Sequence, residues 1–229
     1  MASGASHKLD AANVHLDDRA AIKRGAKVFV DYCLNCHSAG LMRYNRIGQD
    51  LGIPDKELTS QFIKTGAKPG DLMTVAIDPA QAKQWFGRTP PDLSVISRAR
   101  GEDWLYTYLR SFYRDESRPW GVNNTVFKDV GMPHVLWELQ GLQQAVTEKV
   151  TDAEGNEREV ITGLTLAQKG KLTPQEYDET IHDLVSFLVY LGEPSKIQRL
   201  ALGKWVLLFL ALFLVLAYLL KKEYWKDIH

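Results

Sequence analysis

The sequence predicts a mostly α-helical protein with one small β-hairpin and a single membrane-spanning helix near its C-terminal end. Three observations carry this. Apolar residues recur at helical spacing in stretches punctuated by proline and glycine. Residues 144–166 instead place short β-branched runs on either side of a turn-rich segment. Residues 205–220 hold no charge and are almost wholly apolar. A length of 229 residues allows one sizeable domain with a large insertion and little more. With 45% hydrophobic and 24% charged residues, global disorder is excluded. The 28 basic residues balance 28 acidic ones, and this zero net charge argues against nucleic acid as a main partner. The opening MASGASHKLD has no apolar core of the kind export requires, so the numbering is expected to start after a removed signal.

The first helix is expected over residues 17–33. Asp17 or Asp18 can cap it, and Ile22, Ala26, Phe29, Val30 and Cys33 fall on one face. Gly25 lies inside it at a cost in stability, which points to close packing of another backbone there. Residues 38–87 read as mixed, with short helical patches around 55–64 and 79–86. The run Gly87-Arg88-Thr89-Pro90-Pro91-Asp92-Leu93-Ser94 cannot be helical across its two prolines and reads as an extended strap leading into a helix. An aromatic-rich amphipathic helix is expected over 102–113, followed by a loop over 115–132 marked by Pro, Gly and Asn-Asn. Val146, Val150, Val160 and Ile161 flank Asp152-Ala153-Glu154-Gly155-Asn156, giving the surface hairpin.

The next helix has the clearest ends. Thr173 and Glu176 form a capping box, Pro174 takes the first helical position, and Gly192 with Pro194 closes it. Its stripe of Ile181, Leu184, Val185, Leu188 and Leu191 is expected to cross the first helix near Gly25. The last helix needs roughly 20 residues to span a bilayer and reaches that if Lys204 snorkels to the interface. Trp205 at one end and Tyr218, Tyr224 and Trp225 at the other suit interfacial belts, and no polar face exists to suggest a buried core helix. The chain thus divides into a domain over 1–199, an anchor over 200–222 in contact with membrane lipid, and a tail over 223–229. Basic residues flank the anchor on both sides, so charge alone barely sets its orientation.

The chemistry sits in Cys33-Leu34-Asn35-Cys36-His37, the C-x-x-C-H pattern of c-type haem attachment. Two thioether links fix the former vinyl groups of the porphyrin, and the next residue offers its imidazole to the iron. A zinc site would need further thiolates or histidines at a second spaced pair, and the chain has only two cysteines. A thiol oxidoreductase would place the motif after a strand, not at the end of an amphipathic helix. An electron-carrying iron wants a sixth ligand from the opposite face. Met42 is too near His37 to pass round the ring easily, while Met73 stays open. Met132, between Gly131 and Pro133 and after a long loop, is the best methionine, with His134 as the rival. A lone methionine is otherwise more often core filler.

The combination resembles the cytochrome c1 family, the haem subunits of quinol–cytochrome c reductase (bc1) complexes, in a bacterial form. The likeness rests on the haem motif followed by Arg43-Tyr44-Asn45-Arg46, and on Pro90-Pro91-Asp92-Leu93-Ser94 leading to Ala99-Arg100-Gly101-Glu102-Asp103. Met132-Pro133 and the C-terminal anchor complete it. It implies a class I cytochrome c core enlarged by loops and the hairpin, with one covalent haem c. In that reading Cys33 and Cys36 hold the ring, and His37 and Met132 are the axial ligands of the iron. Arg100 lies near a propionate, and Pro90 and Pro91 line the haem edge. It also implies an inner-membrane, single-pass protein with the haem domain periplasmic and the tail cytoplasmic. The implied partners are a cytochrome b subunit, a Rieske iron–sulfur protein and a cytochrome c acceptor. Here Met132-Pro133-His134 replaces the Met-Pro-Pro or Met-Ala-Pro-Pro of many relatives. The haem motif alone also fits the haem subunit or donor of another membrane complex, a terminal oxidase or reductase.

Overall fold

Helix α1, Arg19–Val28, starts at Asp18, whose carboxylate accepts the Ala21 N–H at 3.0 Å. Its apolar side, Ile22, Ala26 and the following Phe29, is almost fully buried. These positions come from a computed structural model that describes residues 8–64, 66–75, 77–151 and 157–226. The chain divides into two units, Met1–Gly192 and Glu193–His229.

In the first unit the core is built on α1 and the late helix α8, and the described residues form eight helices and three strand pairs. After α1 a π-helical turn, Phe29–Cys33, widens the last turn before the Cys-x-x-Cys-His segment. Strand β1, Ala39–Arg43, pairs antiparallel with β2, Leu72–Met73. Between them lie α2, Tyr44–Leu51, and the short α3, Asp55–Glu57, which runs into a second π-helical turn, Leu58–Phe62. Then come α4, Pro79–Phe86, the proline strap, α5, Ile96–Arg100, and α6, Glu102–Arg110. Strands β3, Phe112–Arg114, and β4, Val122–Asn124, form a small antiparallel pair. A single turn, α7, Trp137–Gln140, precedes the hairpin of β5, Gly141–Thr151, and β6, Glu157–Lys169. Helix α8, Pro174–Gly192, ends the unit.

The two principal helices cross where the sequence indicates. A Cβ on Gly25 would overlap the carbonyl of Asp183, so glycine is what lets α1 lie against α8. Arg24 clamps the crossing through a two-pronged bond to Asp183, Nε to Oδ2 at 2.6 Å and Nη2 to Oδ1 at 3.0 Å. Phe29 and Phe187 meet with ring centroids 5.3 Å apart. Helix α6 joins the same core: Tyr177 donates its hydroxyl to the Leu109 carbonyl at 2.9 Å, and Arg110 grips Asp178 through two bonds. The capping box holds as read, with the Thr173 N–H donating to Glu176 Oε2 at 2.8 Å and the Glu176 N–H to Thr173 Oγ1 at 3.3 Å.

Three expectations change. The aromatic helix stops at Arg110 instead of running to 113, because Phe112 turns into a separate cluster with Val122 and Val130 and its segment pairs with β4. The hairpin runs beyond 144–166, and its base is tied to the core by Gln143, whose amide donates to the carbonyls of Arg110 and Phe112 at 2.8 and 2.9 Å. Its turn, residues 152–156, lies outside the described residues. Helix α2 and the β1–β2 pair sit in text that reads as mixed.

In the second unit, α9, Lys196–Tyr224, carries the apolar run, and its leucines, valines and phenylalanines are exposed. Its 29 residues rise about 44 Å, longer than the roughly 30 Å hydrocarbon core. It is long and apolar enough to cross a membrane. Residues 227–229 of the tail lie outside the described residues.

Candidate functional site

Past the π-helical turn the chain closes a tight bend, with the N–H groups of Cys36 and His37 both donating to the Cys33 carbonyl at 3.0 and 2.8 Å. This bend delivers Cys33, Cys36 and His37 to one wall of an apolar cleft. The strap forms a second wall. It is stitched to the segment after the motif: the Leu93 N–H donates to the Ser38 carbonyl at 2.8 Å, the Gly40 N–H to Asp92 Oδ2 at 2.7 Å, and the Leu41 N–H to Ser94 Oγ at 3.0 Å. Pro90 and Pro91 thereby line the cleft beside the motif.

His37 is oriented from this strap. Its Nδ1 lies 2.8 Å from the Pro91 carbonyl, and because a carbonyl can only accept, Nδ1 carries the proton. Nε2 is left as the lone-pair nitrogen. Burial pushes the His37 pKa below the ordinary imidazole value against the opposing pull of Pro91 and Asp92, so the ring is neutral near pH 7. Cys33 and Cys36 are not joined in a disulfide. Burial, with a smaller push from Cys36, raises the Cys33 thiol to about 12, and burial raises Cys36 as well. A redox-active pair needs thiolates held below the ordinary value, and this environment does the opposite.

The rest of the lining comes largely from α6 and the loop after β4. Met132 lines the cleft with Gly131 and Pro133, and so do Trp104, Tyr108 and Phe127. Two almost fully buried asparagines shape that loop. Asn124 Oδ1 accepts the N–H groups of Val126 and Phe127 at 2.9 and 3.1 Å, while its amide donates to the Tyr108 carbonyl at 2.8 Å. Asn123 Oδ1 accepts the N–H groups of Asn124 and Asp129 at 2.9 and 2.8 Å. Arg100, at the cleft, lays its guanidinium over Trp104 at 5.0 Å and over Phe127 at 5.8 Å from the ring centroids.

All seven residues singled out from the sequence, Cys33, Cys36, His37, Pro90, Pro91, Arg100 and Met132, therefore border one cleft. The other ligand candidates lie elsewhere. Met42 and Met73 are core residues, 4% and 1% exposed, and do not border it. His134 stacks flat on Phe112 at 4.8 Å, away from the cleft lining, and burial lowers its pKa to about 4. Sequence reading missed Trp104, Tyr108, Phe127 and the two asparagines. In the sequence Trp104 and Tyr108 read only as part of an aromatic-rich amphipathic helix, and Phe127 and Asn-Asn only as loop.

A family model described as the Cytochrome C1 family matches residues 11–153 and 166–228. The chain belongs to the cytochrome c1 family. It is 51% identical to cytochrome c1 of Allochromatium vinosum, over 100% of this chain and 93% of that protein. It is equally 51% identical to a Nitrosomonas europaea protein named ammonia monooxygenase gamma subunit, over 99% of this chain and 92% of that one. Cytochrome c1 of Rhodospirillum rubrum is 24% identical over 92% of this chain and 83% of its own length. Cytochrome c1 membership makes this a membrane-anchored haem subunit for electron transfer in a bc1-type complex, with haem c as the implied cofactor. The cytochrome c1 cleft suits that group: it is predominantly apolar and is lined by two cysteines, an imidazole whose Nε2 keeps its lone pair, and the Met132 thioether.

Proposed function

We propose that this chain takes single electrons from a Rieske iron–sulfur protein and gives them to a cytochrome c acceptor, seated beside cytochrome b in the inner membrane. The convergence of the Cys33–Cys36–His37 bend and Met132 on one apolar cleft carries this reading. When bound, haem supplies a one-electron ferric–ferrous couple. The chain's residues do the rest. Cys33 and Cys36 would hold the ring covalently, and His37 Nε2 and the Met132 thioether would ligate the iron. Pro90 and Pro91 cover an edge and keep water from it. Arg100, with no carboxylate partner among the described residues, would pair a propionate through its planar fork. A thioether ligand and an apolar surround both favour the ferrous state and so raise the potential.

In this proposal residues 1–199 form the periplasmic haem domain, 200–222 the anchor and 223–229 a cytoplasmic tail. Covalent haem attachment outside the cytoplasm supports that orientation. The name of the Nitrosomonas europaea relative favours a second reading, service as an electron-transfer subunit of another membrane complex. A redox-titrated visible spectrum of the detergent-solubilised protein, with its copurifying subunits identified, separates the two. A cytochrome b and a Rieske protein in the preparation, with quinol able to reduce the haem, support the first; a monooxygenase or terminal oxidase partner supports the second. Met132→Leu is expected to lower the midpoint potential and change the spectrum.

A further inference from the structure

Tyr108 stands on α6 with its hydroxyl 3.4 Å from the Met132 sulfur, to which it donates. We infer that Tyr108 is a positioning residue for the iron's sixth ligand, holding the Met132 thioether and drawing charge from its sulfur so that the ferrous state is favoured. This rests on reading Met132 as that ligand. A thioether sulfur has two lone pairs, so it can serve a metal with one and accept a hydrogen bond with the other.

Tyr108 is held by two ring contacts and one backbone bond. Trp104, one turn earlier, stacks on it at 4.8 Å and 10°, and Phe112 meets it edge-on at 5.2 Å and 65°. Its own carbonyl accepts the Asn124 amide, and the same asparagine caps the backbone of the loop that leads to Met132. Donor and acceptor therefore lie on two elements that one buried side chain ties together. A phenol hydroxyl carries its proton at neutral pH and can donate it toward the sulfur. A tyrosine serving as filler would use its ring alone, and phenylalanine would fill the same space. A donor on a ligand atom weakens that atom's donation to the ferric ion more than to the ferrous ion, the usual way an outer partner tunes a metal.

The test uses the full-length, haem-loaded protein in detergent and the variant Tyr108→Phe, with Tyr106→Phe as control because the Tyr106 ring lies over Arg110 and outside the cleft. At a fixed ambient potential the ferrous-to-ferric ratio of Tyr108→Phe is expected to fall about threefold, the size of one modest hydrogen bond. The ferric charge-transfer band of the sulfur–iron bond should move with it, and Tyr106→Phe should change neither. In the unaltered protein the iron–sulfur vibration should shift on transfer to D2O, and in Tyr108→Phe it should not. If Met132→Leu moves ratio and band while Tyr108→Phe moves neither, or if D2O has no effect on the unaltered protein, the role given to Tyr108 is overturned with ligation intact. If Met132→Leu also changes nothing, the ligand assignment fails and takes this inference with it.

Discussion

Asn124 shows how much one side chain can settle at this site. It is 1% exposed and meets three backbone groups, two in the loop before Met132 and one on α6. Replacing it by alanine strips partners from buried groups, each worth about 1–3 kcal/mol when left unpaired. Asn124→Ala is therefore expected to lower thermal stability and to make the methionine end of the cleft labile, seen as carbon monoxide binding to the reduced protein. Retention of full stability and no carbon monoxide uptake would count against that. Asp92 makes a different prediction. Burial tends to raise its carboxyl, but hydrogen bonds from Ser94 and the Gly40 N–H outweigh this and hold it below its ordinary 3.8. A depressed folded value means the stabilisation is complete above the ordinary value and is lost as pH falls through the lower folded one. The strap should loosen only below about pH 4, and Asp92→Asn should flatten this acid limb in a thermal-melt series. At this scale Cys33, Cys36 and His37 stand out in the sequence because the proposed covalent attachment needs a fixed local spacing, and the structure brings all three to the cleft. Asn123, Asn124 and Tyr108 do not, because their roles depend on groups that only folding brings near.

Among elements, the crossing of α1 and α8 was foreseeable from Gly25 and from the capped stripe between Thr173 and Gly192. Gly25→Ala would drive a methyl into the Asp183 backbone, and such overpacking costs typically about 1–3 kcal/mol. A lowered melting temperature, with the visible spectrum of the surviving folded protein little changed, is expected. An unchanged melting temperature would mean the helices shift apart freely. Helix periodicity reads well where one face is buried along its length, as in α8. It reads poorly in β1, β2 and α2, whose shapes follow from long-range pairing and from the bonds that the strap's Asp92 and Ser94 accept from the Gly40 and Leu41 N–H groups. The early end of α6 has the same origin, since local propensity allows a helix through Phe112 and the pairing of β3 with β4 overrides it.

For the whole molecule, the division at Gly192 separates a unit with its own core from one built on a single apolar helix. Ending the chain after Ser195 is expected to release the haem domain from sedimenting membranes while its spectrum is kept; a truncated protein that still pellets with membranes would place an attachment site in the first unit. That anchor was plain in the sequence because an uncharged run of such length has few other uses, whereas its orientation needs chemistry beyond the chain. The account as a whole stands on a porphyrin bonded to Cys33 and Cys36. The most direct measurement is the intact mass of the denatured, acid–acetone-washed chain, beside that of a Cys33→Ala, Cys36→Ala double variant. The expected result is one haem's added mass and retained colour in the first and neither in the second. A washed chain of bare polypeptide mass, its colour gone into the solvent, would contradict it.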